Sequence, residues 1–509
     1  MSNNQASNKR IAKNTLMLYV RLLLTMSISL YTSRVILNAL GVEDFGIYNV
    51  VGGVVAMFSF INGAMTSAIQ RYITFAQGQD DQTRQGKVFC TSIAVQFCIS
   101  VLIILLAETL GLWFLYNKLI IPLDRFETAF WVFQCSILSS IILIMTVPYN
   151  ATIIAHEKMS AFAYLSIIDV ILKLLIVYIL HLCTFDKLLT YAILILFVQI
   201  LVCLSYRIYC YNNFKETKYK FIYDKSLFRE MTSFASWSLF GNMAAVAYTQ
   251  GVNLMLNIFF GPVVNAARAI SVQVQNAISS FIVNFQTAIN PQITKSYASN
   301  NWNYMYSLVY SSGRYSFYLM LIMTMPIITA TPLILRLWLN EVPDNTIIFV
   351  RLMLLTSLIY TLSNPLIILA QATGKVKKYQ LIAGSVLLTI IPISYVCLKL
   401  GAPAWSVFLV HACIELIDVF VRAYLLHNMM NFSISGYIKN VISRVVLVTS
   451  IASICPFIFV ILFDTNTIIY GLITCFISLL SVLAAIYFIG ISSSEKQYML
   501  QFVLNRIKK

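Results

Sequence analysis

One pattern occurs twice in this chain, and the duplication limits the folds open to it more than any other feature. Pro148, an apolar stretch, Ala155, a two-residue gap and Lys158 recur as Pro365, an apolar stretch, Ala372, the same gap and Lys375. The offset is about 217 residues, the sequence signature of an internal repeat. Gly41 answers to Gly261, Thr74 to Thr294, and Arg207-Ile208-Tyr209 to Arg422-Ala423-Tyr424. Each unit holds roughly six hydrophobic segments, each long enough to cross a bilayer. Six crossings return the chain to its starting side, so the units are parallel repeats related by an axis along the membrane normal.

Composition forces the membrane reading. Hydrophobic residues make up 59% of the chain, charged residues 11%, and the mean hydropathy is +0.81, beyond what a soluble core uses. A span of about 30 Å of hydrocarbon needs about 20 apolar residues, and about fourteen such segments can be placed. They centre on 16–40, 47–71, 88–112, 128–152, 161–182, 188–210, 234–260, 268–291, 308–330, 347–370, 379–400, 404–428, 440–463 and 467–491. The expected fold is an all-α integral membrane protein: a six-helix bundle over 1–215, a second over 216–435, and two additional helices with a tail over 436–509. The Lys-rich stretch from Tyr211 to Glu230 is the natural linker. Tyr72 to Ala76 with the polar run that follows through Lys87 reads as a short interfacial helix, and Tyr297 to Tyr306 as its counterpart.

Charge sets the orientation. Numbering the loops alternately, one set gathers most of the basic residues, among them Lys9, Arg84, Lys158, Lys218, Arg314, Lys377 and Lys508, while the other carries Glu43, Asp44, Asp124 and Asp344. The positive-inside rule then places both termini in the cytoplasm. It also accounts for the net charge of +16 through topology and anionic lipid headgroups, with no nucleic-acid partner. The first segment is too long for a cleavable signal and reads as a retained anchor. The ten cysteines sit mostly within apolar segments without CxxC spacing, so neither disulfides nor a metal site is expected. Short outer loops argue against a membrane enzyme that polymerises sugars.

Ionisable residues at membrane depth are costly and therefore the first functional candidates. Asp169 and Lys173 can neutralise each other at i, i+4. Glu415 and Asp418 share a helix face with like charge, near His411, and are candidates with Asp169 for ion coupling. Glu108 lies near the outer interface. Arg34 has no acid at i±3 or i±4 and needs an anion from elsewhere; Arg21 is placed to snorkel; Arg268 and Arg71 sit near segment ends.

The eighth segment carries a second signal. Gln273, Asn276, Ser280, Asn284 and Thr287 recur at spacings of three and four on one face, widened by Gln275, Ser279, Gln286 and Asn290. The seventh segment adds Gln250 and Asn253, and the second adds Asn62 and Gln70. Small and polar residues also hold helices together, but in this number they suit a hydrated path for a ligand rich in hydroxyls. No Gly-rich loop ending in Lys-Ser/Thr, no HExxH and no GxSxG occurs, and the four histidines are scattered, so neither ATP hydrolysis, a catalytic set nor a cofactor is expected.

The stretch Arg34-Val35-Ile36-Leu37-Asn38-Ala39-Leu40-Gly41-Val42-Glu43-Asp44-Phe45-Gly46-Ile47-Tyr48 resembles the first helix and following turn of bacterial polysaccharide biosynthesis proteins, the Wzx-type flippases of O-antigen and capsule repeat units. These belong to the multidrug/oligosaccharidyl-lipid/polysaccharide exporter superfamily, and the likeness extends to length, segment count and repeat. The resemblance implies alternating access between two bundles, with helices one, two, seven and eight around a cavity. It further implies a lipid-linked oligosaccharide whose pyrophosphate meets cavity arginines; the positions offered are Arg34, Arg268, Arg21 and Arg71. Membrane lipids and the polysaccharide polymerase machinery are the partners it suggests. A drug or cation antiporter on the same fold is the alternative, and it would rely on Glu108, Asp169, Glu415 or Asp418 for coupling; a cation exporter would also be expected to offer an acid in the first helix, where this chain offers arginines.

Overall fold

A computed structural model describes residues 13–29, 31–32, 35–36, 39–40, 44, 47–48, 51, 60–117, 122–183, 185–218, 224–260, 262–339, 342–463, 467–491 and 495–496. Among them there is helix and no strand, as hydrocarbon demands of a chain that must satisfy its backbone internally. The elements are α1 (Phe60–Gly78), α2 (Gln82–Leu106, extended through a π turn to Asn117), α3 (Phe126–Ala155), α4 (Met159–Leu182), α5 (Lys187–Asn213), α6 (Lys225–Phe260), α7 (Pro262–Ala298), α8 (Trp302–Thr329), α9 (Thr331–Trp338), α10 (Thr346–Thr373), α11 (Val376–Leu388), α12 (Ile390–Lys399), α13 (Ser406–Met430), α14 (Ser443–Leu462) and α15 (Ile468–Ala485).

Nine described helices are long and apolar enough to span a bilayer, or ten if α8 and α9, bent by 80°, make one span. The count falls short of fourteen for two reasons. The first two sequence segments, 16–40 and 47–71, are each interrupted by residues outside the described set. The other reason is that α7 is rich in amides and α13 carries three charged residues, Glu415, Asp418 and Arg422, within one span length. The chain is an all-α, multi-pass membrane protein.

Contacts group the residues into two compact units, Met1–Met243 with Thr287–Trp302, and Ala244–Gln286 with Asn303–Lys509. Two of the three boundaries fall within long helices, α6 and α7, and the third at the start of α8.

In the first unit, Phe133, Val132, Ala129 and Ile137 of α3 pack with Leu188 and Ala192 of α5. Arg125 bridges Asp44 at 3.2 Å and Asp186 at 2.9 Å, and Asp186 also caps α5 by accepting from Leu188 and Leu189 backbone N–H groups. Asp44, the acid of the sequence motif, is thereby tied to the starts of α3 and α5. Below it, Tyr48 meets Tyr191 edge to face at 4.8 Å. No separate interfacial helix follows Arg71: α1 runs unbroken to Gly78 and α7 to Ala298. The polar run continues as helix because Arg71 is buried, its guanidinium over Tyr72, Phe75 and Phe234 at 4.4, 5.0 and 5.6 Å. Gly78 permits the two helix ends to touch, since a Cβ there would lie 2.7 Å from the Lys295 carbonyl oxygen.

In the second unit, Phe349 and Met353 of α10 pack with Val407, Phe408 and Ile414 of α13, and with Val252 and Leu256 of α6. Arg351 donates to the Ile328 carbonyl at 3.0 Å and to Thr331 at 3.3 Å, pinning the bend between α8 and α9. Pro148 lies inside α3 and Pro365 inside α10. Just past the end of each helix comes a residue with positive φ, Glu157 (56°) in one and Gly374 (77°) in the other, so the repeat extends to backbone conformation.

Candidate functional site

α7 is built from amides and hydroxyls at helical spacing, and the structure sorts them by direction. Gln275 turns inward, donating to Ser357 at 2.6 Å, and Gln286 donates to Ser316 at 3.2 Å; these hold α7 against α10 and α8 within the second unit. Gln273 and Asn276 are exposed. Ser280 donates back to the Asn276 carbonyl and Asn284 to the Ser280 carbonyl, both at 2.7 Å, so the stripe is partly satisfied along its own helix. Asn290 Oδ1, in the first unit, is buried without a hydrogen-bond partner. The side chains of Asn62 and Gln250 lie outside the described residues, and Gln70 is half-buried on α1.

One turn before this stripe sits Arg268, 9% exposed. Its guanidinium donates to the Thr249 carbonyl at 2.9 Å and to Asn253 Oδ1 at 3.3 Å, while Nε is buried with no acceptor. Both acceptors are neutral, and no ion pair to Arg268 occurs among the described residues. A cation held this way keeps donors for an incoming anion. Arg21 stacks on Phe162 at 4.4 Å with a buried Nε lacking an acceptor, and Arg71 sits in the aromatic cage described above. Arg34 lies outside the described residues.

The acids divide as well. Asp169 pairs with Lys173 at 2.8 Å, both part-exposed. Asp418 pairs with Arg422, a buried residue that the sequence alone places at the end of a segment; Arg422 also donates to the Tyr379 hydroxyl at 3.1 Å. Its i, i+4 spacing from Asp418 was the available signal. Glu415 accepts from Ser363 at 3.3 Å. Arg314, assigned to a loop by its charge, is instead buried within α8 and paired with Glu495 at 2.8 Å. No group of three or more His, Cys, Asp or Glu side chains fit to hold a metal occurs among the described residues.

A family model described as "Polysaccharide biosynthesis protein" matches residues 11–297, more than half of the chain. The chain belongs to that family. No curated protein matches it significantly. Among solved structures, the chain is similar to MATE in the straight conformation, with 13% identity and a TM-score of 0.69 over 83% of this chain and 96% of that one. It is also similar to a multidrug resistance MATE family transporter of the MOP superfamily in an outward-facing conformation, with 13% identity and a TM-score of 0.67 over 82% and 95%. A MOP superfamily transporter from Pyrococcus furiosus, described as having a binding pocket of reverse polarity that suggests a different function, gives 13% and 0.68 over 84% and 96%. At such identity the likeness establishes the fold. Family and fold together make it a polysaccharide biosynthesis protein that shares the fold of the MATE transporters.

Proposed function

We propose that the protein flips undecaprenyl-pyrophosphate-linked oligosaccharide repeat units across the bacterial cytoplasmic membrane by alternating access, with both termini in the cytoplasm. The observation that carries the reading is Arg268, a buried guanidinium held only by neutral acceptors beside a helix of amides. In hydrocarbon such a charge is too costly to keep without an anionic counterpart, and a pyrophosphate offers bidentate oxygens that suit it. Gln273 and Asn276 extend the same logic to the sugar. An amide exposed on a membrane helix is unfavourable toward lipid and useful toward water or hydroxyls, each of which loses several kcal/mol, on the order of 2–7, if stripped of partners. Arg34 and Arg21 are proposed as further anion contacts. Of the acids on which cation antiport on the same fold would rely, Asp169 and Asp418 are engaged by Lys173 and Arg422, whereas Glu415 is held only by the Ser363 hydroxyl.

The energy comes from an ion gradient or from consumption of the product by the polymerase machinery outside. Deleting the gene should leave lipid-linked repeat units on the cytoplasmic leaflet. Complementation with Arg268→Gln should fail at matched membrane level, while Arg268→Lys restores part of the export because charge survives but the fork does not. Wild-type surface glycan from Arg268→Gln would overturn the assignment of this arginine, and absence of accumulated repeat units in the deletion would overturn the cargo.

A further inference from the structure

Sequence spacing makes Glu415 and Asp418 look like a pair of equals, but the structure separates them. Asp418, fully buried, is matched by Arg422 four residues on, and Arg422 is further committed to the Tyr379 hydroxyl. Glu415 is 3% exposed and receives only the Ser363 hydroxyl. It is the tenth residue of a 25-residue helix, so it stands about 14 Å from the helix start, near the middle of a bilayer. The groups facing it are Tyr248 from α6, Tyr360 and Ser363 from α10, and Asp418 and Arg422 on α13 itself. His411, one turn earlier on α13, is turned toward Tyr248, with ring centroids 4.9 Å apart. Two carboxyls thus share one guanidinium, and the cluster carries an uncompensated negative charge unless one carboxyl holds a positive ion. No second basic side chain makes an ion pair there among the described residues.

We propose that Glu415 is a proton-exchange site of the second unit, taking up H⁺ as its carboxylate becomes a carboxylic acid when the site opens to water on one side and returning it on the other. A proton suits the site better than a metal cation. One hydroxyl donor is a poor start on the several oxygens a hard cation collects, whereas a carboxylic acid needs only a donor for its carbonyl oxygen and an acceptor for its proton. Asp418 Oδ1, buried with no partner, is such an acceptor one turn away. This deepens the transport reading by naming the coupled ion, yet it is testable without cargo.

The experiment is infrared difference spectroscopy of the full-length protein in lipid nanodiscs, titrated with and without Na⁺. The wild type should show a protonated-carboxyl C=O band that disappears on alkalinisation at a midpoint insensitive to Na⁺. Glu415→Gln should lack that band. Glu415→Asp should keep it with a shifted midpoint, which preserves the test if the amide variant folds poorly. A band unchanged in Glu415→Gln and unshifted in Glu415→Asp, or one removed by Na⁺ at fixed pH, would overturn the proposal. Either result leaves the cargo question untouched, because no oligosaccharide is present.

Discussion

The two repeats share a backbone and differ in where they place charge. Phe162 and Tyr379 hold equivalent positions, four residues past the repeated lysine, and each faces an arginine. In the first repeat Arg21 lies over the Phe162 ring from the first helix; in the second Arg422 reaches Tyr379 from α13, and a hydroxyl converts the ring contact into a hydrogen bond. The i, i+4 ion pairs also sit apart. Asp169 and Lys173 on α4 correspond to Val386 and Ile390, whereas Asp418, paired with Arg422 on α13, corresponds to Cys203 on α5, and its neighbour Glu415 to Ile200. Backbone symmetry is what packing needs. Asymmetric charge is what a directional task needs, because a fully symmetric pair of bundles would offer cargo and ion the same site twice.

The largest test of this contrast concerns the two ion pairs. Arg422→Leu leaves Asp418 buried and alone, and should cost about 3–5 kcal/mol, seen as loss of folded protein in detergent or a steep fall in Tm. Asp169→Asn removes half of a part-exposed pair and should cost about 0–1 kcal/mol. Equal losses would mean that the repeats are not electrostatically distinct.

A smaller effect is expected at the left-handed helix ends. Gly374→Ala places a Cβ in a conformation that disfavours it by roughly 1–2 kcal/mol. Glu157 already sits in that conformation, retained by Gln292, whose amide lies 2.6 Å from both carboxylate oxygens, while Asn14 donates to its backbone carbonyl at 3.0 Å. Glu157→Gly should therefore relax the backbone while losing the side-chain contact, for a net change well below that at Gly374. Matching losses of Tm at the two sites would remove the distinction.

The smallest effect is a pH dependence confined to the linker after the first repeat. Burial opposes ionisation of Glu216, but hydrogen bonds from His156 and from its own backbone N–H, with the imidazole's charge, win and hold its carboxyl below the ordinary range. A depressed folded value means the stabilisation is complete above the usual glutamate range and is lost as pH falls through the folded value. His156→Phe, which keeps the stack on Phe214, should shrink the acid limb of a stability-versus-pH curve; an unaltered limb would show that Glu216 is not its source.

The fold was legible because hydrocarbon leaves few choices: length, hydropathy and the Pro148/Pro365 repeat already imply paired helical bundles. The site was legible only in outline. The stripe on α7 could be read as a face, but Gln275 and Gln286 turn toward neighbouring helices while Gln273 and Asn276 do not, a division decided by what α10 and α8 present. Arg314 escaped because loop assignment by charge takes a basic residue near a segment end to be solvated, and long-range partners such as Glu495 have no local signature. Arg34 lies outside the described residues, so its place rests on the sequence.

The amides of α7 carry one further implication. From Gln273 to Asn284, within the second unit, the helix climbs about 17 Å at 1.5 Å per residue, with polar rungs at Gln273, Asn276, Ser280 and Asn284. An amide both donates and accepts, so successive rungs impose little demand on whether a given hydroxyl is axial or equatorial. On the proposed reading, such a ladder would be forgiving of the glycan's stereochemistry and strict only about the charged group at one end. Selectivity would then reside in the lipid carrier's headgroup, and foreign repeat units on the same carrier would be tolerated as passengers.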